Sequence, residues 1–296
     1  MNDRTHSNRK RIPRWIDAVI GIDRAAWYLY RGIEIARDEL LLAWVDPSLY
    51  DELTRRGYAR SRHYLPGGNT HSCGLFPWER AAITSPPFPT KGRVLVGAVG
   101  GGRELPGLAE MGYQVVAFEP NDVLLAGARQ VASELEGVEV VQASYGDLVR
   151  AVRDGSGPLA KAIGGPSFDA IILGWGSLTH VVLEQERRAL LEAIRKLAPR
   201  APVLASFYLR RDGPRRDSKS ERLRTWVRPW LARAGAPHRP GDGVGFVPSG
   251  GFVYTFTADE VHALAFACGY RVERLDEWEF PHALLVPLET SGPVKP

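Results

Sequence analysis

Cysteine is almost missing from the 296-residue chain: Cys73 and Cys268 are the full complement, and neither stands in metal-type Cys/His spacing. That excludes a disulfide framework and a zinc cluster, and leaves two unpaired thiols as the expectation. Long apolar runs are missing too. None approaches the roughly 18 residues that a membrane helix needs, and the basic start (Arg4, Arg9, Lys10, Arg11, Arg14) lacks the apolar stretch of a signal peptide, so a cytoplasmic protein without membrane contact is expected. Lysine is scarce, six against 32 arginines, a bias that fits a GC-rich bacterial coding sequence. Strands interleaving basic and aromatic residues are not present, so nucleic acid is not an expected partner.

What is there is ordinary for a folded enzyme: 44% hydrophobic and 24% charged residues. The net charge of +4 is local, concentrated at the N-terminus and in residues 210 to 239. Residues 1 to 12 read as a disordered basic tail. Apolar residues at helical spacing then begin with Trp15, Ile16, Val19, Ile20, Ile22, Trp27 and Leu29, and predict helices across much of 13 to 60. Residues 65 to 91 are rich in Gly, Pro, Ser and Thr, so 13 to 90 is expected to be a helical cap and linker.

After residue 90 short apolar runs alternate with helical segments. Strands are predicted at Arg93–Val96, Gln114–Phe118, Val138–Gln142, Ala170–Leu173 and Val203–Tyr208, with helices at Glu104–Met111, Val123–Leu135 and Gln185–Leu197 between them. Such alternation implies right-handed crossovers and a doubly wound, mainly parallel α/β sheet, which binds ligands at the carboxyl ends of its strands. An Arg-rich insertion, 210 to 250, interrupts the domain that spans 91 to 290. The pattern then resumes as strand Gly251–Phe256, helix Ala258–Cys268 and strands Arg271–Leu275 and Ala283–Val286, with Thr257 as an N-cap.

The most informative segment runs from Arg93 through Val96 into Gly97, Ala98, Gly100, Gly101, Gly102 and Glu104: a buried strand, a glycine-rich turn, then a helix. Glycines there admit positive φ and close approach of a ligand, although a tight structural turn would also use them. Seventeen residues after Gly102 the second strand ends in Glu119, Pro120 and Asn121, placing a carboxylate where the hydroxyls of a ribose would lie. NAD and S-adenosylmethionine both carry that ribose. A dinucleotide fingerprint wants a third glycine where this chain has Leu105, which disfavours a pyrophosphate site.

In this order the segments resemble the class I, Rossmann-like S-adenosylmethionine-dependent methyltransferases over most of residues 90 to 210. The resemblance extends through Ala143, Ser144, Tyr145, Gly146 and Asp147 after strand three, Phe168 to Gly176 around strand four, and the tail from Tyr254 to Val272. It implies a seven-stranded sheet with an N-terminal helical cap, S-adenosylmethionine as cofactor, and transfer to oxygen or nitrogen of a small molecule or peptide. It also implies a cofactor site of Gly97, Ala98, Gly100, Gly101, Gly102, Glu104, Glu119, Pro120, Asn121, Ser144, Tyr145, Gly174 and Trp175. The sequence departs from the family at Val96 and Ser144, where many members have acids, and at Ala98, where they have glycine. Glu104 or Asp147 would restore part of the polarity.

Methyl transfer needs alignment of two reactants more than it needs a base. His180, just past strand four, is the candidate base for a hydroxyl acceptor, and helix packing is its alternative role. Phe76, Trp78, Glu79, Tyr208 and Arg210 are candidates for the acceptor pocket, with packing as the alternative for each. The insertion, with nine Arg among residues 210 to 239 and Trp226 and Trp230 at i, i+4, reads as a lid or as an amphipathic helix with its Trp pair turned to the core. Two other functions fit the sequence: an NAD-binding oxidoreductase and a non-catalytic S-adenosylmethionine-binding protein. No metal is expected, and the sequence leaves the oligomeric state open.

Overall fold

The computed structural model describes residues 13–210, 218–239, 241–248 and 250–289; the expected tail of residues 1 to 12 and residues 211–217 of the insertion lie outside them. The chain divides into two compact units, one of Met1–Trp44 with Pro214–Arg239, the other of Val45–Gly213 with Pro240–Pro296. Residues 45 to 90, read from sequence with the cap and linker, thus belong to the unit that holds the sheet.

In chain order the elements are helices α1 (Arg14–Trp44), α2 (Tyr50–Tyr58) and α3 (Pro77–Ile83), strand β1 (Gly92–Gly97), α4 (Leu105–Glu110), β2 (Tyr113–Glu119) and α5 (Asp122–Ala132). Then come β3 (Val138–Gln142), α6 (Tyr145–Asp154), α7 (Ala160–Ile163), β4 (Ala170–Leu173), α8 (Glu184–Leu197), β5 (Val203–Ser206) and β6 (Tyr208–Leu209). The last are α9 (Ser218–Arg233), β7 (Val244–Val247), β8 (Gly251–Phe256), α10 (Ala258–Ala267), β9 (Tyr270–Asp276) and β10 (His282–Pro287).

Seven strands form one sheet in the order β3-β2-β1-β4-β5-β10-β9. The first five are parallel, and β10 runs antiparallel to both β5 and β9. Central β1 reads as a continuous apolar run because both its faces are covered. Val94 and Val96 join a core with Leu105, Leu108 and Ala128, whereas Leu95 joins the opposite core with Phe118, Leu148, Leu190 and Tyr270. That is the two-residue alternation of a strand, with helices packed on each side.

One expectation fails beside β5. The predicted strand Val203–Tyr208 ends at Ser206: Phe207 is buried, its amide bonds to Pro281 O at 3.1 Å, and Tyr208 N donates to Thr179 Oγ1 at 2.6 Å. Tyr208 and Leu209 then cross into a separate three-stranded sheet, β6-β8-β7, so Gly251–Phe256 is a strand, but of this small sheet rather than the large one. Helices α6 and α7 were not predicted, although Tyr145, Leu148, Val149 and Val152 of α6 stand at the i, i+3, i+4, i+7 spacing of an amphipathic helix and pack on the core.

In the smaller unit α9 packs on α1, and Arg228 closes on the buried carboxylate of Glu39 at 2.8 Å. The two tryptophans of α9 face solvent, Trp226 63% and Trp230 56% exposed, which corrects the expectation of a core-facing pair. Among the described residues no helix is long and apolar enough to cross a membrane.

Candidate functional site

A cavity of about 620 Å³ opens within the larger unit at the carboxyl ends of β1 to β5, a volume in the range of small-molecule and cofactor pockets. Its floor is the turn after β1. Ala98 is held at φ 53°, a left-handed conformation that costs an L-residue roughly 1–2 kcal/mol. Gly101 is required by packing, since a Cβ there would lie 1.9 Å from the carbonyl oxygen of Tyr64. The turn is tied to the loop after β4 by Gly174 N, which donates to Gly97 O at 2.8 Å.

Glu119, the last residue of β2, points its carboxylate at this turn. Oε2 accepts from Gly100 N and Oε1 from Asn121 N, each at 2.9 Å. Each oxygen retains a lone pair for a further donor. Burial outweighs these two bonds and raises the carboxyl pKa to about 7. Glu104 lines the same space, and burial, opposed by the neighbouring Arg103, pushes its pKa up as well. Asn121 caps α5 through Oδ1, and its Nδ2 donates to Arg55 O at 2.7 Å, which anchors α2 beside the cavity.

The wall beside β3 is the start of α6. Ser144 and Asp147 cap it reciprocally: Ser144 N donates to Asp147 Oδ2 at 2.9 Å and Asp147 N to Ser144 Oγ at 3.2 Å. The Tyr145 ring lies over Gly97, where a Cβ would come within 2.7 Å of it, and its hydroxyl meets Ser177 Oγ at 2.5 Å.

The remaining wall is aromatic and comes from Tyr58, Tyr64, Trp175, His180 and Tyr208. His180 Nδ1 lies 3.2 Å from Phe252 O and its Nε2 2.8 Å from the Tyr58 hydroxyl. A carbonyl can only accept, so the Nδ1 carries the proton. Burial lowers the His180 pKa and keeps the ring neutral, and Nε2 therefore accepts from Tyr58. Asp51, Arg55 and Glu186 complete this end of the cavity.

Of the residues proposed from sequence, Ala98, Gly100, Gly101, Glu104, Glu119, Pro120, Asn121, Ser144, Tyr145, Trp175, His180 and Tyr208 line the cavity together. Gly97, Gly102 and Gly174 sit just behind the lining; Gly102, at φ 86°, packs against Ala128 of α5. Phe76, Trp78, Glu79 and Arg210 are not among the lining residues. Glu79 is buried in a bidentate pair with Arg103, both bonds 2.6 Å. Phe76 stacks on Phe280 and meets Trp175 edge-on, while Trp78 stacks on His282. Arg210 is held by Thr255 O and the Glu260 carboxylate. Sequence reasoning missed Tyr58, Tyr64, Asp51, Arg55 and Glu186, which carry no local motif. Among the described residues no group of three or more His, Cys, Asp or Glu is placed to hold a metal ion.

No protein-family model and no curated protein matches the sequence. Solved structures do match. One is the DhpI-SAH complex, with TM-score 0.52, 16% identity, and coverage of 83% of this chain and 100% of that one. Another is a SAM-dependent methyltransferase from Leishmania major, with TM-score 0.52, 15% identity, and coverage of 81% and 84%. At such identities the likeness is one of fold. The chain has the Rossmann-like fold of the class I S-adenosylmethionine-dependent methyltransferases.

Proposed function

We propose that this chain is a methyltransferase that binds S-adenosylmethionine in the cavity and alkylates oxygen or nitrogen of a small molecule or peptide. The observation that carries the reading is Glu119: a buried carboxylate, held by two backbone amides beside a tight glycine turn, with lone pairs left over for a diol. The residues fit an adenosyl ligand in three further respects. Gly100, at φ 58°, lines the cavity with open space where a Cβ would stand, α6 begins at the wall next to β3, and the cavity is large enough for a cofactor with an acceptor beside it.

The cofactor, when bound, supplies an electrophilic methyl group on a sulfonium sulfur. In this reading Glu119 accepts from the ribose hydroxyls, the Ala98–Gly102 turn lies beneath the amino-acid part, and Ser144 and Tyr145 border the base. The aromatic wall of Tyr58, Tyr64, Trp175 and Tyr208 holds the acceptor and excludes water. The neutral His180, through the hydroxyl of Tyr58, takes up the proton of a hydroxyl acceptor.

The sheet argues against the dinucleotide alternative. An NAD-binding sheet runs 3-2-1-4-5-6, whereas here the antiparallel β10 lies between β5 and β9. Calorimetric titration with S-adenosylmethionine, its demethylated product and NAD tests the reading. Saturable binding of the first two and none of the third is expected; binding of NAD alone would return the oxidoreductase. Turnover with an acceptor separates an enzyme from a non-catalytic binder.

A further inference from the structure

Helix α1 spans 31 residues, about 46 Å, whereas its partner α9 has only 16. The α1 side chains buried on the face of Gly32, Ile35, Glu39 and Leu42 include the Arg228 ion pair, and a Cβ on Gly32 would touch Leu223 of α9. A different stripe of α1 is apolar as well. Trp15, Val19, Ile22, Leu29, Ile33 and Leu40 recur at steps of four, three and seven, with alanine at positions 26 and 36 completing an unbroken 4-3 alternation over 26 residues. That 3.5-residue period is the signature of a seam packed against another helix. Among the described residues nothing covers it: Trp15, Ile22 and Leu29 are 67%, 69% and 68% exposed, and every position of the seam is exposed.

We propose that this seam packs antiparallel against α1 of a second copy of the chain, forming a two-fold dimer. Three observations select that occupant. A seam of period 3.5 calls for a helix, and a two-fold pair matches each seam with an identical one. The six large side chains, each at least half exposed, offer roughly 100 Å² apiece, and flanking residues such as Tyr30 bring the total near the ~800 Å² per partner of a standard interface. Charge then selects the direction. Asp23 and Arg37 lie on one flank of the seam, two heptads apart, with Tyr30 midway. In an antiparallel pair centred on Tyr30 this flank meets itself reversed, and each Asp23 faces Arg37 of the second copy, whose guanidinium also bonds Asp38 at 2.7 Å and would be shared between the two carboxylates. A parallel pair sets it against the other flank, where Ala18, Ala25 and Gly32 offer no charge. A lipid surface fits less well: α1 carries five acids against four arginines and has no positive excess for anionic headgroups.

Light scattering of the full chain at about 50 µM tests the proposal. The expected mass is twice 32.7 kDa. Ile22→Glu with Leu29→Glu changes only exposed positions, so circular dichroism should be unchanged while association weakens by at least about 100-fold. Asp23→Arg should weaken the dimer, and adding Arg37→Asp should restore it. A monomeric wild type, including one that binds phosphatidylserine vesicles instead, overturns the dimer, as does a Glu variant that remains dimeric. A double charge swap that fails to restore association overturns the antiparallel arrangement.

Discussion

The hydroxyl of Tyr58 donates to Nε2 of His180 across 2.8 Å, joining residues 122 apart in sequence. Because Phe252 O fixes the imidazole proton on Nδ1, the only basic nitrogen of His180 is the one that Tyr58 covers. If the pair serves a hydroxyl acceptor, methyl transfer should rise with pH through a value below 6.5, the direction in which burial moves His180, and then level off. His180→Ala should abolish that step and lower the rate by about 10²–10⁴-fold, with cofactor affinity unchanged. Tyr58→Phe should slow turnover and alter the same pH profile. A His180→Ala enzyme with the wild-type profile would assign the pair to packing.

The raised pKa of Glu119 has a second consequence, for stability. Its carboxyl binds a proton more tightly folded, at about 7, than unfolded, near 4.5. The folded state therefore holds the extra proton between these values, so the ligand-free protein gains stability as pH falls from 7 towards 4.5 and loses it as pH rises. The gain is at most about 3 kcal/mol. Thermal unfolding from pH 8 to 5.5 should show the rise in wild type and a smaller one in Glu119→Gln. An identical slope in both would mean that Glu119 is ionised throughout.

Glu79 separates a structural from a substrate role. Buried and bidentate to Arg103, it is the nearest counter-charge of that guanidinium, and its removal leaves Arg103 with the Glu104 carboxylate at 4.0 Å and the Gly74 carbonyl, a change worth up to about 3–5 kcal/mol. Urea unfolding of Glu79→Ala should show a loss of that size. A fully stable variant with a weakened acceptor KM would return Glu79 to the acceptor pocket.

How much of this was legible in the sequence depended on range. The β1 turn and Glu119 stand within 30 residues of one another and carry turn chemistry and strand periodicity, so both the central strands and the ligand end of the sheet followed from local pattern. Helix α6 was missed although its reciprocal cap, Ser144 with Asp147, is a sequence signature; reading Ser144 as a cofactor contact hid its role as an N-cap. Tyr58, by contrast, gains meaning only when α2 is anchored by Asn121 and meets His180, a relation no local window contains. Glu79 and Arg210 looked like pocket residues because both are charged and lie near aromatic or strand-end positions. Their partners, Arg103 and Glu260, lie 24 and 50 residues away and satisfy them internally.

The claim on which the functional reading rests is that Glu119 holds the ribose of S-adenosylmethionine. Titration calorimetry of S-adenosylmethionine into the wild type and Glu119→Ala tests it directly. Loss of two charge-assisted hydrogen bonds, each worth about 1.5–3 kcal/mol, predicts at least a 100-fold drop in affinity with the fold retained. Equal affinity in a folded Glu119→Ala variant would contradict the assignment and move the ribose elsewhere.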